Sequence, residues 1–269
     1  MHDQRPVVPF LKWAGGKRWL IRNHSVFFDI PNRCRYVEPF LGSGAVFFSL
    51  LPKQAMLNDL NRELITTYTA IRDEWKMVAR ALADHNRKHS HEYYYHIRGS
   101  IPKDSVALAA RFIYLNRTCF NGIYRVNRRG EFNVPLGTKT SVVLDTDDFE
   151  GVASSLSEVV LRSDDFQLVI DDCGRGDFIF ADPPYTVKHN NNGFVKYNER
   201  LFSWSDQERL SASLRRAAKR GASVVVSNAD HSSIRDLYSG CDILTLSRHS
   251  VMASEAARRR ITSEILVRL

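Results

Sequence analysis

Asp182-Pro183-Pro184-Tyr185 stands directly after the apolar run Phe178-Ile179-Phe180-Ala181. Such a run reads as a strand, and the tetrapeptide as the rigid turn that leaves it. Two prolines fix their own φ angles and remove two backbone donors. The turn therefore offers a carboxylate, unpaired carbonyls and an aromatic ring from a stiff frame. These groups suit a planar exocyclic amine, because they supply acceptors for both of its hydrogens and a face against which its ring can stack. Adenine and cytosine carry such an amine. An ordinary turn with a core tyrosine has the same local pattern, so the rest of the chain has to decide.

Upstream, Phe40-Leu41-Gly42-Ser43-Gly44 follows a first strand and precedes the helical run Ala45 to Leu50. Glycines at such a position permit a tight turn and close approach of a ligand to the backbone. A second strand ends at Asn58-Asp59, fifteen residues beyond Gly44. In doubly wound sheets an acid roughly 20 residues past the glycines accepts a hydrogen bond from a ribose hydroxyl. Together these features indicate a bound nucleoside. Lys12-Trp13-Ala14-Gly15-Gly16-Lys17 lacks the hydroxyl residue and spacing of a phosphate-binding P-loop. Its aromatic ring, glycine pair and lysine suit closure over a nucleoside bearing a carboxylate.

The elements that position these residues are legible as short apolar runs with helical segments between them. Strands are predicted at Tyr36-Val37-Glu38, Ala55-Met56-Leu57-Asn58, Val159-Val160-Leu161-Arg162, Phe178 to Ala181, Val224-Val225-Val226-Ser227, Ile243-Leu244-Thr245-Leu246 and Ile265-Leu266-Val267. Several are unbroken apolar runs, as in strands buried on both faces. Ser205-Asp206-Gln207-Glu208 reads as a capping box for a helix carrying Leu210, Leu214 and Ala217. The pattern predicts an α/β fold with a doubly wound, mostly parallel sheet. From Asn61 to about Asp148 the alternation stops. Leu64, Ile65, Tyr68, Ile71, Trp75, Val78 and Leu82 mark one long amphipathic helix, and Val106, Ala109, Ala110, Ile113 and Leu115 a second. Tyr124 to Pro135, with Arg129-Gly130 at its centre, reads as a hairpin. The expected division is a catalytic domain of residues 1–60 and 149–269 around an inserted, mainly helical domain of residues 61–148.

The chain has 269 residues, 43% of them hydrophobic, and a formal net charge of +8. A basic surplus suits a polyanionic partner. Between Arg111 and Lys139 there are six basic residues (Arg111, Arg117, Arg125, Arg128, Arg129, Lys139) against the single acid Glu131, interleaved with Phe112, Tyr114, Phe120, Tyr124 and Phe132. That mixture suits phosphate contact combined with base contact. Cys34, Cys119, Cys173 and Cys241 are scattered, without the close pairs of a metal site. No apolar run approaches the length of a membrane span. The expectation is a reduced cytoplasmic protein without metal, disulfide framework or membrane contact.

FLKWAGGKR, VEPFLGSGAVFF, LNDLN, LNRTCFNGIYRVNRRGEFNVPLG and ADPPY occur in that order. In these motifs the chain, from Phe10 through its terminal strands, resembles the Dam-type (class alpha, D12) DNA adenine-N6 methyltransferases. The resemblance implies a seven-stranded Rossmann-like methyltransferase sheet, S-adenosylmethionine as methyl donor with S-adenosylhomocysteine as product, and double-stranded DNA as partner of a monomeric enzyme. By motif position, Trp13 and Lys17 would contact the methyl donor, with Phe40, Gly42 and Gly44 shaping its pocket. Asp59 would bind the ribose, Asp165-Phe166 would lie along the donor's adenine, and Asp182 would border the same pocket. Asp182, Pro183, Pro184 and Tyr185 would hold the everted target adenine for in-line displacement, its amine donating to the Asp182 carboxylate and the Pro183 carbonyl while Tyr185 stacks on the base. Phe120, Asn121, Ile123 and Arg125 match the hairpin that enters DNA, Arg125 as a reader of a guanine edge and Phe120 as a wedge. Asn127, Asn133 and Pro135 would lie near it, and Arg128 and Arg129 would meet phosphates. FNGIYRVN resembles readers of GATC. The tail cluster Arg258-Arg259-Arg260 is a further basic group.

Other readings explain less. Cytosine-C5 transfer needs a cysteine beside proline, which none of the four cysteines has. Cytosine-N4 transfer uses similar chemistry, but many such enzymes carry serine at the position of Asp182. RNA is a possible substrate on physical grounds, and the hairpin motif favours duplex DNA. A DNA-binding regulator without catalysis would not need the intact turn. A nicotinamide oxidoreductase would account only for Gly42 to Asp59.

Overall fold

A computed structural model of the chain describes residues 7–13, 15–31, 33–122, 124–127, 131–188, 202–249 and 261–269. The apolar runs become strands β1 (Arg35–Glu38), β2 (Ala55–Asn58), β3 (Val160–Arg162), β4 (Asp177–Ala181), β5 (Ser223–Ala229), β6 (Asp242–His249) and β7 (Ile261–Arg268). They form the expected seven-stranded, mostly parallel sheet of a Rossmann-like methyltransferase fold. Among the described residues no helix is long and apolar enough to cross a membrane. The chain divides into two units, one of Met1–Asp29 with Leu41–Ser163, the other of Ile30–Phe40 with Asp164–Leu269.

In the first unit β2 runs parallel to β3, with Met56 opposite Val160. Among its described residues the α-helices are α1 (Arg18–His24), α2 (Phe47–Leu50), α3 (Arg62–Lys88), α4 (His91–Gly99), α5 (Ser105–Thr118) and α6 (Phe149–Leu156). The stripe read from Leu64 to Leu82 lies within α3, which starts where the Asn61 side chain accepts the Leu64 amide at 3.2 Å. Glu74 leaves helical φ/ψ inside α3, so its buried stripe is interrupted at Trp75 and resumes at Val78. Helix α5 is buried throughout Ala109 to Thr118 and packs along α3. Helix α4 has no counterpart in the sequence reading. Its run of three tyrosines buries only Tyr94, so it shows no apolar period, and it is fixed by Ser90, whose hydroxyl caps the Tyr93 amide.

In the second unit β1 pairs parallel with β4, and β4 with β5. The last two strands turn the other way, with β7 antiparallel to both β5 and β6. Every residue of β4 is buried, as the apolar run Phe178 to Ala181 requires, and Asp177 at its start accepts from Arg35. Its described residues also form helices α7 (Phe166–Asp171), α8 (Trp204–Lys219) and α9 (Ser232–Leu237). The capping box of α8 lies two residues upstream of the predicted one. Ser203 accepts the Asp206 amide at 3.2 Å, and Asp206 accepts the Ser203 amide at 2.8 Å. Ser203-Trp204-Ser205-Asp206 satisfies the same spacing with a shorter acid, and the earlier start buries Gln207 along with Leu210, Leu214 and Ala217.

Candidate active site

The first unit gathers the N-terminal arm and the glycine loop. Gly42 has φ +50° and Gly44 φ +63°, a left-handed region that favours glycine. A Cβ on Gly42 would meet the Trp13 ring at 2.7 Å, and one on Gly44 the Phe48 ring at 2.9 Å. The Gly42 amide donates to Asp59 at 3.0 Å, and its carbonyl accepts from the Tyr68 hydroxyl at 3.1 Å. Asp59, at the end of β2, also accepts the Asn61 amide at 2.9 Å. Burial pushes the Asp59 carboxyl above its ordinary range, and the Asn61 and Gly42 amides partly offset that rise. Each oxygen thus holds one amide and keeps a second lone-pair direction for a ligand hydroxyl. Lys17 is buried, and its ammonium donates to the Gly15 carbonyl at 3.0 Å.

The arm is tied to α5. Buried Asn116 exchanges two hydrogen bonds with the Lys12 backbone, each 2.8 Å, in the manner of a strand partner. Trp13 stacks on Tyr124 with ring centroids 5.8 Å apart, and Tyr124 stacks in turn on Phe112 at 4.8 Å. Arg117 donates to the Phe10 carbonyl and forms a two-pronged ion pair with Asp147. Arg111 donates to the carbonyls of Ile97 and Arg98. These two arginines, counted above with the phosphate-binding cations, are buried structural clamps; their charge is spent on carbonyls and carboxylates inside the unit.

The hairpin is looser than predicted. Among the described residues its arms pair at two isolated bridges, Cys119 with Leu136 and Val126 with Phe132. Tyr94 and Arg98 of α4 anchor it by donating to the Val134 carbonyl at 2.9 and 3.3 Å. Phe120 is 54% exposed, and Asn121 beside it takes φ +58°. Arg125 is exposed and donates through Nε to the Asn133 side chain at 3.2 Å. Asn127 donates to the Glu131 carboxylate at 2.8 Å. Pro135 is exposed, and its carbonyl receives the Phe120 amide. Ile123, Arg128, Arg129 and Arg258 to Arg260 lie outside the described residues.

The second unit holds an aromatic cluster. Phe166, 6% exposed, lies 5.5 Å from both Phe40 and Phe202. The Arg209 guanidinium lies 4.3 Å from the Phe166 ring centre. It is held there by a two-pronged ion pair to Asp165, at 2.7 and 2.9 Å, and by Asp206 at 3.0 Å. Asp165 is also the N-cap of α7, accepting the Gln167 amide.

Strand β4 delivers Asp182 to Tyr185. Ser227 of β5, 1% exposed, donates its hydroxyl proton to Asp182 Oδ1. The Tyr185 hydroxyl donates to Glu264 Oε2 at 2.9 Å and stands 3.3 Å from Ser227 Oγ. Burial, then the Asp182 and Glu264 charges, push the Tyr185 phenol well above its ordinary range, so it remains protonated. One of the turn's carbonyls is engaged: that of Pro184 accepts from Gln207 Nε2 at 3.1 Å. Behind the turn, Tyr36 donates to Glu38, itself 2% exposed, at 2.8 Å. Ser227, Glu264, Arg209 and Glu38 were not singled out from the sequence. Only strand alternation, which puts Ser227 and Ala229 on one face, signalled the first of them.

Residues 13–252 match the family described as D12 class N6 adenine-specific DNA methyltransferase. A type II methyltransferase of Lactococcus lactis subsp. cremoris is 34% identical, over 96% of this chain and 94% of its own. A DNA N-6-adenine-methyltransferase of Escherichia phage P1 is 34% identical over 95% of this chain and 34% of its own length. A DNA adenine methylase of Vibrio cholerae is 29% identical over 96% and 94%. The ordered motifs, the sheet and these matches agree, and the chain belongs to the D12 class of N6 adenine-specific DNA methyltransferases.

Proposed function

We propose that the chain methylates N6 of an adenine everted from duplex DNA, within GATC, with S-adenosylmethionine as methyl donor. The observation that carries this reading is the braced turn of Asp182 to Tyr185, with one carboxylate oxygen occupied by a buried hydroxyl and the ring held at its phenol. The methyl donor fits the glycine loop, where Gly42 and Gly44 leave no room for a Cβ and Asp59 keeps acceptor capacity beside them. Trp13, Lys17, Phe40, Gly42, Gly44, Asp59, Asp165, Phe166 and Asp182 are assigned to it, Lys17 to its carboxylate and Asp59 to its ribose. When bound, it supplies a sulfonium methyl that the adenine nitrogen takes up in one displacement, with the new C–N bond forming as the C–S bond breaks.

The protein's part is positioning, the largest single source of acceleration open to such a site. Asp182 and the Pro183 carbonyl accept the two amine hydrogens. This favours a pyramidal nitrogen whose lone pair is no longer conjugated into the ring. The surplus proton leaves through Asp182 after transfer. Tyr185 stacks on the base and offsets part of the few kcal/mol, roughly, that eversion costs. Residues 61–148 are assigned to target recognition, with Phe120 as wedge and Arg125 as reader of a guanine edge. The remaining residues, 1–60 and 149–269, are assigned to catalysis.

Asp182→Ala tests the reading. Methyl transfer to duplex DNA is expected to fall at least about a thousandfold, since positioning and acceptor are lost together. DNA affinity by fluorescence anisotropy should stay within about threefold, because phosphate contacts dominate it. Retained turnover would remove Asp182 from the chemistry.

A further inference from the structure

The Asp182 turn is braced by two side chains from other strands, and we propose that Ser227 and Glu264 are positioning residues for methyl transfer. In this proposal Ser227 fixes the orientation of the Asp182 carboxylate, and Glu264 fixes the plane of the Tyr185 ring. The inference deepens the function proposed above and rests on it.

The strand register brings the pair together. Glu264 of β7 lies opposite Ala229 of β5. Ser227 is two residues before Ala229, so strand alternation puts it on the same face, as a diagonal neighbour of Glu264. Tyr185 rests over both, its hydroxyl 2.9 Å from Glu264 Oε2 and 3.3 Å from Ser227 Oγ.

Proton accounting gives the cluster a direction. Ser227 has one hydroxyl proton, and it goes to Asp182 Oδ1. Tyr185 has one, and it goes to Glu264. No third proton is left for the longer Ser227–Tyr185 contact. Asp182 is therefore held at Oδ1 as an acceptor, which fixes the orientation of its carboxylate in the turn. Tyr185 is held at its far end by a charge-assisted bond, the stronger class of hydrogen bond, while its ring stays half-buried. A stacking platform whose only covalent tether is at Cβ swings about its χ angles; Glu264 removes that freedom.

The test uses the 269-residue chain and duplex DNA carrying 2-aminopurine at the target adenine, whose fluorescence rises on unstacking, alongside unmodified duplex for single-turnover transfer. Glu264→Ala is expected to slow the single-turnover rate by about tenfold or more, as loss of a charge-assisted bond implies, and to weaken the fluorescence rise. Affinity for S-adenosylmethionine should stay within about twofold, a split that a general folding defect would not give. Glu264→Gln, whose carbonyl still accepts from the phenol, is expected to restore most of the rate. In a Tyr185→Phe background, which has no phenol to hold, Glu264→Ala should cause no further loss. Ser227→Ala should likewise lower the rate and spare affinity for S-adenosylmethionine.

A wild-type rate in both Glu264→Ala and Ser227→Ala overturns the proposal, as does a Glu264→Ala loss that persists in full without the phenol. If Glu264→Ala does not fold, Tyr185→Phe alone decides, because it deletes the same bond; an unchanged rate and fluorescence rise overturn the proposal. A wild-type chain that leaves adenine unmethylated overturns the functional reading itself. A methylating wild type with indifferent variants overturns only the positioning roles.

Discussion

Gly42 shows how a single residue can carry three constraints at once. Its amide is committed to Asp59, its carbonyl to Tyr68, and its α-carbon lies under the Trp13 ring. Gly42→Ala adds a methyl 2.7 Å from that ring at a backbone angle of +50°. The expected cost is about 1–3 kcal/mol of stability, from overpacking and backbone strain together. Affinity for S-adenosylmethionine should fall at least about tenfold, because Trp13 must move off the loop. Calorimetry checks both, and unchanged affinity would take Gly42 out of the binding loop. Charge alone misleads at this scale. Arg111, Arg117 and Arg125 are equivalent in a count of cations, yet the first two are buried and spent on internal acceptors while Arg125 is exposed. Their difference lies in partners such as Asp147, thirty residues from Arg117, which no local window reveals.

The elements legible in the sequence were those with a period. Short apolar runs, several of them unbroken, gave the seven strands, and the stripe from Leu64 to Leu82 gave α3. Helix α4 carries polar and aromatic residues without a stripe, and it escaped. The acid at the end of β2 and the turn after β4 were legible because strand ends and prolines mark them. Their braces were not: Glu264 lies 79 residues from Tyr185, and Arg209 lies 44 from Asp165. The clamp of α5 on the N-terminal arm is also long-range, with Asn116 104 residues from Lys12. Asn116→Ala removes two hydrogen bonds to the Lys12 backbone, at about 1–3 kcal/mol, from roughly 0.5–1.5 kcal/mol each. A lowered Tm with weakened binding of S-adenosylmethionine is the expected result; intact binding would separate the arm from that function. The helices of the first unit also carry a pH signature. Burial, aided by Lys88, lowers His85 from its usual value to about 4, while its Nδ1 meets the Tyr93 hydroxyl at 2.8 Å. The unfolded chain then binds the proton first. The contribution of His85 to stability should fall as pH drops from about 6.5 to about 4 and level off below that window. Thermal melts of wild type and His85→Phe across that range check it: the wild type should lose more Tm on acidification, and parallel curves would exclude His85 as the cause.

At the scale of the whole molecule, the net charge of +8 and the family suit a DNA substrate. The chemistry is divided between a glycine loop that suits the methyl donor and a braced turn that suits the base. The central claim is that the product is N6-methyladenine. Duplex DNA containing every tetranucleotide, incubated with the protein and labelled S-adenosylmethionine, can be digested and its modified bases mapped by mass spectrometry and sequencing. The account expects label on adenine N6, confined to GATC sites and absent with Asp182→Ala. Label on cytosine, or none on DNA at all, would contradict it.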